Sequence, residues 1–286
     1  MPIDQKRING PEVTIPYEIL YDSNINKVET NDKVLENRED GRTLNEHRKM
    51  FVKTGIVSQA KGSAYIEMGK TKVVCSVFDP REIPNKTEYS VQGELFCEFK
   101  FAPFSCSKRR IHQQDAEEKE YSLIMQRALE PAVCRHEFPN FQIDIYALVL
   151  DNDGSSLSAA IMAASLALAN ASVPMFGLVT AATAAIQGST ILLDPTDKEE
   201  AICSISKVIS EEPQNHGIIM QAILPQHTQV SEFFAIGSLD LDCIKSVVDT
   251  LTAASKEICP VMQQCLVKSV IKCIKTKGHD EMEAVK

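Results

Sequence analysis

A short turn between an alternating strand and a helix of small residues most constrains what this chain can fold into. The strand covers residues 141–149, where every second side chain is apolar. The helix covers residues 155–171 and is rich in alanine, and Asp153-Gly154-Ser155-Ser156 lies at its start. Backbone N–H groups and the positive end of a helix dipole make such a turn a natural binding site for an anion. The sequence therefore predicts a phosphate-handling turn, with Gly154, Ser155 and Ser156 as candidate residues.

The side chains around this turn do not supply the chemistry that a phosphate site needs. Leu157 occupies the position where a guanidinium could clamp a phosphate, and no arginine follows Arg135. The segment 194–200 is acidic, but no further carboxylate follows it until Glu211. A second interpretation is purely structural, with Asp153 or Ser155 capping the helix.

The remaining pattern alternates between hairpins and helices. Residues 62–77 predict a hairpin that turns at Met68-Gly69-Lys70, and residues 94–101 predict a strand with Leu95, Cys97, Phe99 and Phe101 on one face. A helix is expected from Asp115 to about Cys134, kinked at Pro131. Residues 141–149 are expected to form a half-buried strand.

The C-terminal half repeats the arrangement of strands followed by a helix. Ser238 is expected to cap a helix that runs to about Lys275 and is interrupted at Pro260. Further strands are expected at 176–186, 189–194, 201–209, 216–224 and 231–236. Hairpins followed by helices, twice over, predict an α+β (mixed α/β) fold in which helices cover sheets.

Composition excludes several classes of protein. With a net charge of −9 and a pI of about 5.3, any attraction for nucleic acid must be local. Nine cysteines occur singly without a C-x-x-C pair, which is typical of reduced thiols in a cytosolic or nuclear protein. Neither a signal peptide nor a membrane span is expected, because no apolar run approaches 18 residues. Histidine and cysteine spacing predicts no zinc site, and no cofactor is expected.

A basic loop is the second functional candidate. Positive charge beside aromatic rings predicts a non-specific RNA contact. The candidate residues are Lys100, Lys108, Arg109 and Arg110, close to Phe99, Phe101 and Phe104. The alternative is a solvated charged face, since acidic residues follow at once, with Phe99 and Phe101 in the core.

Five segments together carry a resemblance to the RNase PH-like family. They are Asp40-Gly41-Arg42, Glu46-His47-Arg48, residues 60–73, and the pair formed by 153–160 and 193–200. The resemblance covers residues 39–275, in order and at matching spacing. It implies an RNase PH-type domain over 39–275, related to the ribosomal protein S5 domain 2-like fold, between an extended arm (1–38) and a charged tail (276–286).

Active members of that family degrade RNA from its 3′ end with inorganic phosphate. The resemblance places the family's phosphate-binding arginine on Leu157, the first of two downstream aspartates on Glu200, and the second on Ser206. A leucine donates no hydrogen bond, and a serine is not an acid near pH 7. The resemblance therefore implies a degenerate site and no catalysis.

The resemblance also implies an assembly. A chain of this type is expected to be a structural subunit of the RNA exosome, in a hetero-hexameric ring of RNase PH-like subunits below a cap of OB-fold and KH modules. Single-stranded RNA would pass through the channel to a docked catalytic exoribonuclease, in the nucleus, including the nucleolus, and the cytoplasm. The arm (1–38) is expected to wrap a neighbour. Two alternatives remain: an active phosphate-dependent 3′–5′ exoribonuclease completed by a partner subunit, and a free-standing RNA-binding module.

Overall fold

The computed structural model describes residues 38, 40–83, 89–204 and 215–284, with side chains described up to residue 275. The predicted arm, apart from Arg38, lies outside these ranges, and so does Ser206. Arg38 is buried, with 4% of its surface exposed. The arm therefore ends at a residue that belongs to the folded domain.

The N-terminal half of the described chain forms a six-stranded sheet. Its central strand is β6, which pairs antiparallel with β3 and β4 and parallel with β5, and β1 and β2 extend the sheet beyond β3. The strands are β1 (Met50–Thr54), β2 (Gly62–Met68), β3 (Thr71–Val77), β4 (Arg81–Glu82), β5 (Glu94–Phe101) and β6 (Phe141–Asp151).

The C-terminal half forms a four-stranded antiparallel sheet in the order β10-β9-β7-β8. Its strands are β7 (Thr180–Gln187), β8 (Thr190–Leu193), β9 (His216–Leu224) and β10 (Gln229–Ser238). Every residue of β7 is buried.

In the described residues, four α-helices pack on the two sheets: α1 (Ala116–Leu129), α2 (Ser156–Asn170), α3 (Asp197–Ser204) and α4 (Leu241–Ala284). The small residues of α2 allow it to lie between the sheets, and residues 156–168 are all buried. At Gly62 of β2 an added Cβ would lie 2.3 Å from the carbonyl oxygen of Ala167. The helix therefore approaches the first sheet so closely that only glycine fits at that point.

Most local predictions are confirmed. The hairpin turns between β2 and β3, and the predicted apolar face of β5 is buried. Asp115 forms a capping box with Glu118 at the start of α1, and a 3₁₀ turn over 130–132 follows at Pro131. The α+β architecture is also confirmed.

Strand β6 is buried more fully than the alternating pattern predicts. Gln142 and Asp144 lie on its polar face but are 7% and 5% exposed. Arg81 of β4 reaches Asp144, with 2.7 Å between Nε and Oδ2, and Gln142 donates to the same carboxylate. A central strand flanked on both sides can bury polar side chains because its neighbours supply their hydrogen-bond partners.

Three predictions for the C-terminal half are wrong. Residues 201–204, expected as the start of a strand, form the end of α3. The Thr196-x-x-Glu199 sequence pattern and the acidic first turn favour a helix there, and the Thr196 N–H donates to Glu199 Oε2 at 2.9 Å, which is one of the two hydrogen bonds of a capping box. Ser238 ends β10 and does not cap the helix, because α4 begins at Leu241.

Helix α4 also passes through Pro260 without interruption and continues to Ala284, into the predicted tail. Pro260 is exposed, whereas Ile258, Cys259 and Met262 are buried and hold this part of the helix on the core. Tertiary packing thus outweighs the local cost of a proline inside a helix.

Candidate functional site

The structure contains a turn between β6 and α2 at the predicted position, but its backbone is packed against another part of the chain. Gly154 has a φ of +81°, and Ser155 lies in the left-handed region at φ 53°. A Cβ added to Gly154 would lie 2.4 Å from the carbonyl oxygen of Pro195 and 2.8 Å from the amide nitrogen of Asp197. The segment 195–197 therefore closes one side of the turn.

The backbone N–H of Ser155 already has an anionic partner. It donates a hydrogen bond of 2.7 Å to Oε1 of Glu200, which lies on α3. The hydroxyl of Ser155 donates to the carbonyl oxygen of Pro195 at 3.2 Å and does not cap α2. Ser155 does stand at the N-cap position of α2, as the capping interpretation predicts, but its hydroxyl makes no capping hydrogen bond. A carboxylate of the chain itself occupies the position at which this N–H would hold a phosphate.

Glu200 lies in an unusual electrostatic environment. Burial, together with the negative charges of Asp197 and Asp194, raises the pKa of its carboxyl from 4.5 to about 7. The hydrogen bond from Ser155 and the charge of Arg48 act in the opposite direction but do not outweigh burial. Glu200 therefore changes its protonation state near neutral pH.

The two other residues that the resemblance singled out contribute no charge to the described site. Leu157 is 6% exposed and is part of the main apolar core. Ser206 lies outside the described residues. Of the three transferred positions, the structure places only Glu200 at the turn.

The guanidinium closest to the turn belongs to Arg48, to which the sequence assigned no role. It donates to the carbonyl oxygens of Asp153 (2.6 Å) and Gly154 (3.2 Å). Its Nη2 also lies 2.6 Å from Oδ1 of Asp194, and both side chains are almost fully buried. Burial alone would raise the pKa of Asp194, but the hydrogen bonds and charge of Arg48 outweigh it and lower that pKa. The guanidinium nitrogens of Arg48 are therefore hydrogen-bonded within the protein.

A second buried ion pair extends this network. Arg38 donates to both carboxylate oxygens of Glu199 at 3.0 Å and to the carbonyl oxygen of Leu193 at 2.8 Å. Asp40-Gly41-Arg42 and Glu46-His47-Arg48 marked the family resemblance, and the structure shows that this part of the chain binds the acidic segment 194–200. An arginine-rich stretch preceding the first strand was the signal that could have indicated such pairing.

Two of the four basic side chains predicted to contact RNA make contacts within the protein, and the other two are exposed. Lys100 Nζ donates to the carbonyl oxygen of His112 at 2.8 Å. Arg110 lies 4.1 Å from the centre of the Phe101 ring and 2.8 Å from Glu117 Oε2. Lys108 and Arg109 are exposed. Of the four predicted residues, these two are the ones that present their charge to solvent.

The aromatic residues of this region divide in the same way. Phe99 and Phe101 are buried, as their alternation predicted, with their rings 5.0 Å apart in an edge-to-face arrangement. Phe104 is 64% exposed and is the one of the three that could stack on a base. The loop lies beside the turn at 153–157, because the Asn152 N–H donates to the carbonyl oxygen of Ser105 at 2.9 Å.

The arrangement of metal-ligating side chains and cysteines can be stated for the part of the chain that the structure describes. There, no three histidine, cysteine, aspartate or glutamate side chains are grouped so that they could hold a metal ion. All nine cysteines lie in this part, and none of them is joined to another by a disulfide bond. No helix among the described residues has the length and apolar character needed to cross a membrane.

Comparison with known proteins identifies the family. Residues 46–174 match the RNase PH family, described as "3' exoribonuclease family, domain 1". The chain is also 32% identical over 285 residues to "Exosome complex component MTR3" of Homo sapiens, which covers 94% of this chain and 96% of that protein. The chain belongs to the RNase PH family. It is also 34% identical to "Exosome complex component RRP41-like" of Arabidopsis thaliana, over 81% of this chain and 85% of that protein.

Solved structures of the same fold agree with this assignment. The "Archaeal exosome core" superposes with a TM-score of 0.67 at 21% identity, covering 87% of this chain and 100% of that one. The structure described as "archaeoglobus fulgidus exosome with RNA bound to the active site" superposes with a TM-score of 0.69 at 21% identity, covering 80% and 96%. The predicted RNase PH-type fold is therefore confirmed.

Proposed function

We propose that this chain is a non-catalytic structural subunit of an RNA exosome ring and helps to form the channel that threads RNA for 3′–5′ processing and degradation. The observation that carries the proposal is the turn at 153–157. Leu157, which is buried, lies at the position to which the family resemblance assigns a phosphate-binding arginine, and the Glu200 carboxyl accepts the hydrogen bond of the Ser155 N–H. Similarity to proteins named as exosome components supports membership of the ring.

The energetic cost of this replacement is large enough to abolish useful turnover. A charge-assisted hydrogen bond to phosphate contributes about 1.5–3 kcal/mol. Loss of a positioned acid or base typically lowers a rate by about 10² to 10⁴. A phosphate would also have to displace Glu200 from the Ser155 N–H, against the repulsion of Asp194 and Asp197.

The partners in this proposal are other RNase PH-like exosome subunits in a hetero-hexameric ring, OB/KH-type cap subunits, a docked catalytic exoribonuclease and single-stranded RNA. The locations are the nucleus, including the nucleolus, and the cytoplasm. Lys108, Arg109 and Phe104 would contact the RNA. A chain of net charge −9 attracts RNA weakly by itself, whereas basic loops pooled around a channel can hold a strand.

An RNA degradation assay tests the absence of catalysis. The purified chain, alone and with its co-purified ring neighbour, is incubated with 5′-labelled single-stranded RNA, magnesium and phosphate. An active RNase PH-type enzyme serves as the positive control. We expect neither shortening of the RNA nor release of nucleoside diphosphates. Phosphate-dependent shortening by the chain, free of contaminating nucleases, would falsify the proposal.

A second candidate function rests on the protonation of Glu200. A pKa of about 7 suits a general acid or base, so a phosphorolytic enzyme that borrows its arginine from a partner is the alternative. Glu200→Gln separates the two in the assembled ring. The alternative expects at least a hundredfold loss of phosphate-dependent activity, whereas our proposal expects no such activity in either protein.

A free-standing RNA-binding module is tested by mass measurement. Such a module would be a monodisperse monomer that binds RNA alone with a steep salt dependence. A ring subunit is expected to self-associate or to be poorly soluble alone, and to form a soluble, monodisperse complex with its neighbour.

A further inference from the structure

The C-terminal part of α4 carries an apolar stripe that lies beyond the core. The last residues of α4 that pack on the domain are Met262, Cys265 and Leu266, and Cys265 Sγ lies 3.5 Å from the carbonyl oxygen of Val52. The four residues of the stripe follow at helical spacing. They are Val267 (57% exposed), Val270 (57%), Ile271 (47%) and Ile274 (65%).

One flank of this stripe is positively charged. Lys268, Lys272 and Lys275 recur at intervals of four and three residues, which places them side by side along the helix. No acidic residue occurs between Glu257 and Asp280. The surface therefore suits an apolar segment that carries negative charge, and a second copy of the same stripe is disfavoured because lysine would face lysine.

The chain contains such a segment, apolar and negatively charged, outside the described residues. Residues 12–22 (EVTIPYEILYD) hold three carboxylates, no lysine or arginine, and six large apolar or aromatic side chains. Segment and stripe are thus complementary both in apolar character and in charge.

The residues that connect this segment to Arg38 are numerous enough for the segment to reach the stripe. The Arg38 side chain reaches the carbonyl oxygen of Glu46 at 3.5 Å. From there, six residues to Val52 span at most ~20 Å. Nine helical residues from Cys265 to Ile274 then add ~14 Å. With the two 3.5 Å contacts and ~7 Å for the Arg38 side chain, the path from Arg38 to the end of the stripe is at most about 50 Å. The chain from Asp22 to Arg38 can span ~53 Å when extended.

We propose that residues 12–22 dock on the apolar stripe of α4 in the same chain. The stripe is then an internal binding site for the arm, and the arm is committed to its own domain before any neighbour joins. If the arm instead wraps a neighbour, the tests below should give the opposite result.

Hydrogen exchange on the full chain is the first test. Full-length protein and a variant lacking residues 1–22 are compared at low concentration, with α2 as an internal reference because it is buried between the sheets. We expect amides of residues 266–275 to exchange at least about tenfold faster in the truncated chain, with α2 unchanged. Equal exchange in the two proteins, or protection that arises only after a ring neighbour is added, overturns the proposal.

Binding of a labelled peptide is the second test. A peptide of residues 12–22 is titrated into the truncated chain and followed by fluorescence anisotropy. We expect saturable binding that weakens at least tenfold in Ile271→Asp and with a peptide in which the three carboxylates are neutralised. Ile236→Asp on β10, where the side chain is 51% exposed, is the matched control and should bind normally. Equal binding of a scrambled peptide, or an unchanged affinity in Ile271→Asp, refutes the assignment.

Discussion

Replacing Glu200 by glutamine should make the protein more stable, and the gain should depend on pH. The substitution keeps the shape of the side chain and an oxygen that can accept the Ser155 N–H, but it removes the ionisable group. Burial, reinforced by Asp197, raises the pKa of Glu200 from 4.5 to about 7 in the folded protein. The folded state therefore holds its proton in a pH range where the unfolded state has lost it.

The sign and size of the effect follow from this difference. Below pH 4.5 the carboxyl is neutral in both the folded and the unfolded state, so its ionisation does not change the free energy of unfolding. Between pH 4.5 and about 7 the wild-type protein loses stability as the pH rises, and above that range the loss is constant. The shift sets an upper limit of about 3 kcal/mol. Because the Glu200 side chain is partly accessible to solvent, we expect a loss of about 2 kcal/mol after solvent screening.

Urea unfolding at several pH values between 5 and 8 measures the effect. Glu200→Gln should exceed wild type by about 2 kcal/mol at pH 8 and by less than about 1 kcal/mol at pH 5. Glu120→Gln, at an exposed position on α1, controls for the change in net charge. A difference that stays constant with pH, or a variant less stable than wild type at pH 8, refutes the assignment of a raised pKa to the Glu200 carboxyl next to Ser155.

Three further predictions concern the same region. Arg48→Ala should cost about 3–5 kcal/mol in urea unfolding, because it leaves the Asp194 carboxylate buried without its partner, and adding Asp194→Asn should recover part of that loss. Gly154→Ala should lower the free energy of unfolding by more than about 1 kcal/mol, because Gly154 has a φ of +81° and an added Cβ would overlap the backbone of residues 195–197. A thermal melt unchanged within 1 °C would contradict this. Lys108→Ala with Arg109→Ala should weaken RNA binding by the assembled ring and reduce the slope of log K against log salt by about 1–2, measured by filter binding.

Periodicity and capping in the sequence predicted most of the individual elements. The alternating apolar residues of β5 and the capping box at Asp115 act within one or two turns of chain, so they indicate structure without knowledge of the fold. The location of the phosphate-handling turn at Asp153–Ser156 was predicted on the same local grounds, and the matched segments predicted the family. The expectation of a strand is wrong for residues 201–204, because the acidic first turn and the Thr196-x-x-Glu199 pattern start a helix there that apolar alternation alone does not indicate.

The state of the site was decided by tertiary structure. Glu200 is 45 residues from Ser155, Arg48 is 146 residues from Asp194, and Arg38 is 161 residues from Glu199. No local pattern indicates such partners, because the pairing of buried charges depends on which distant segments the fold brings within hydrogen-bond distance. The continuity of α4 through Pro260 has the same origin, since burial of its neighbours on the core outweighs the local preference. The sequence by itself determined most of the kinds of elements, the family and the absence of a guanidinium at Leu157. Only the folded chain brought the Glu200 carboxyl to the Ser155 N–H, because the two residues are 45 positions apart and meet through tertiary packing.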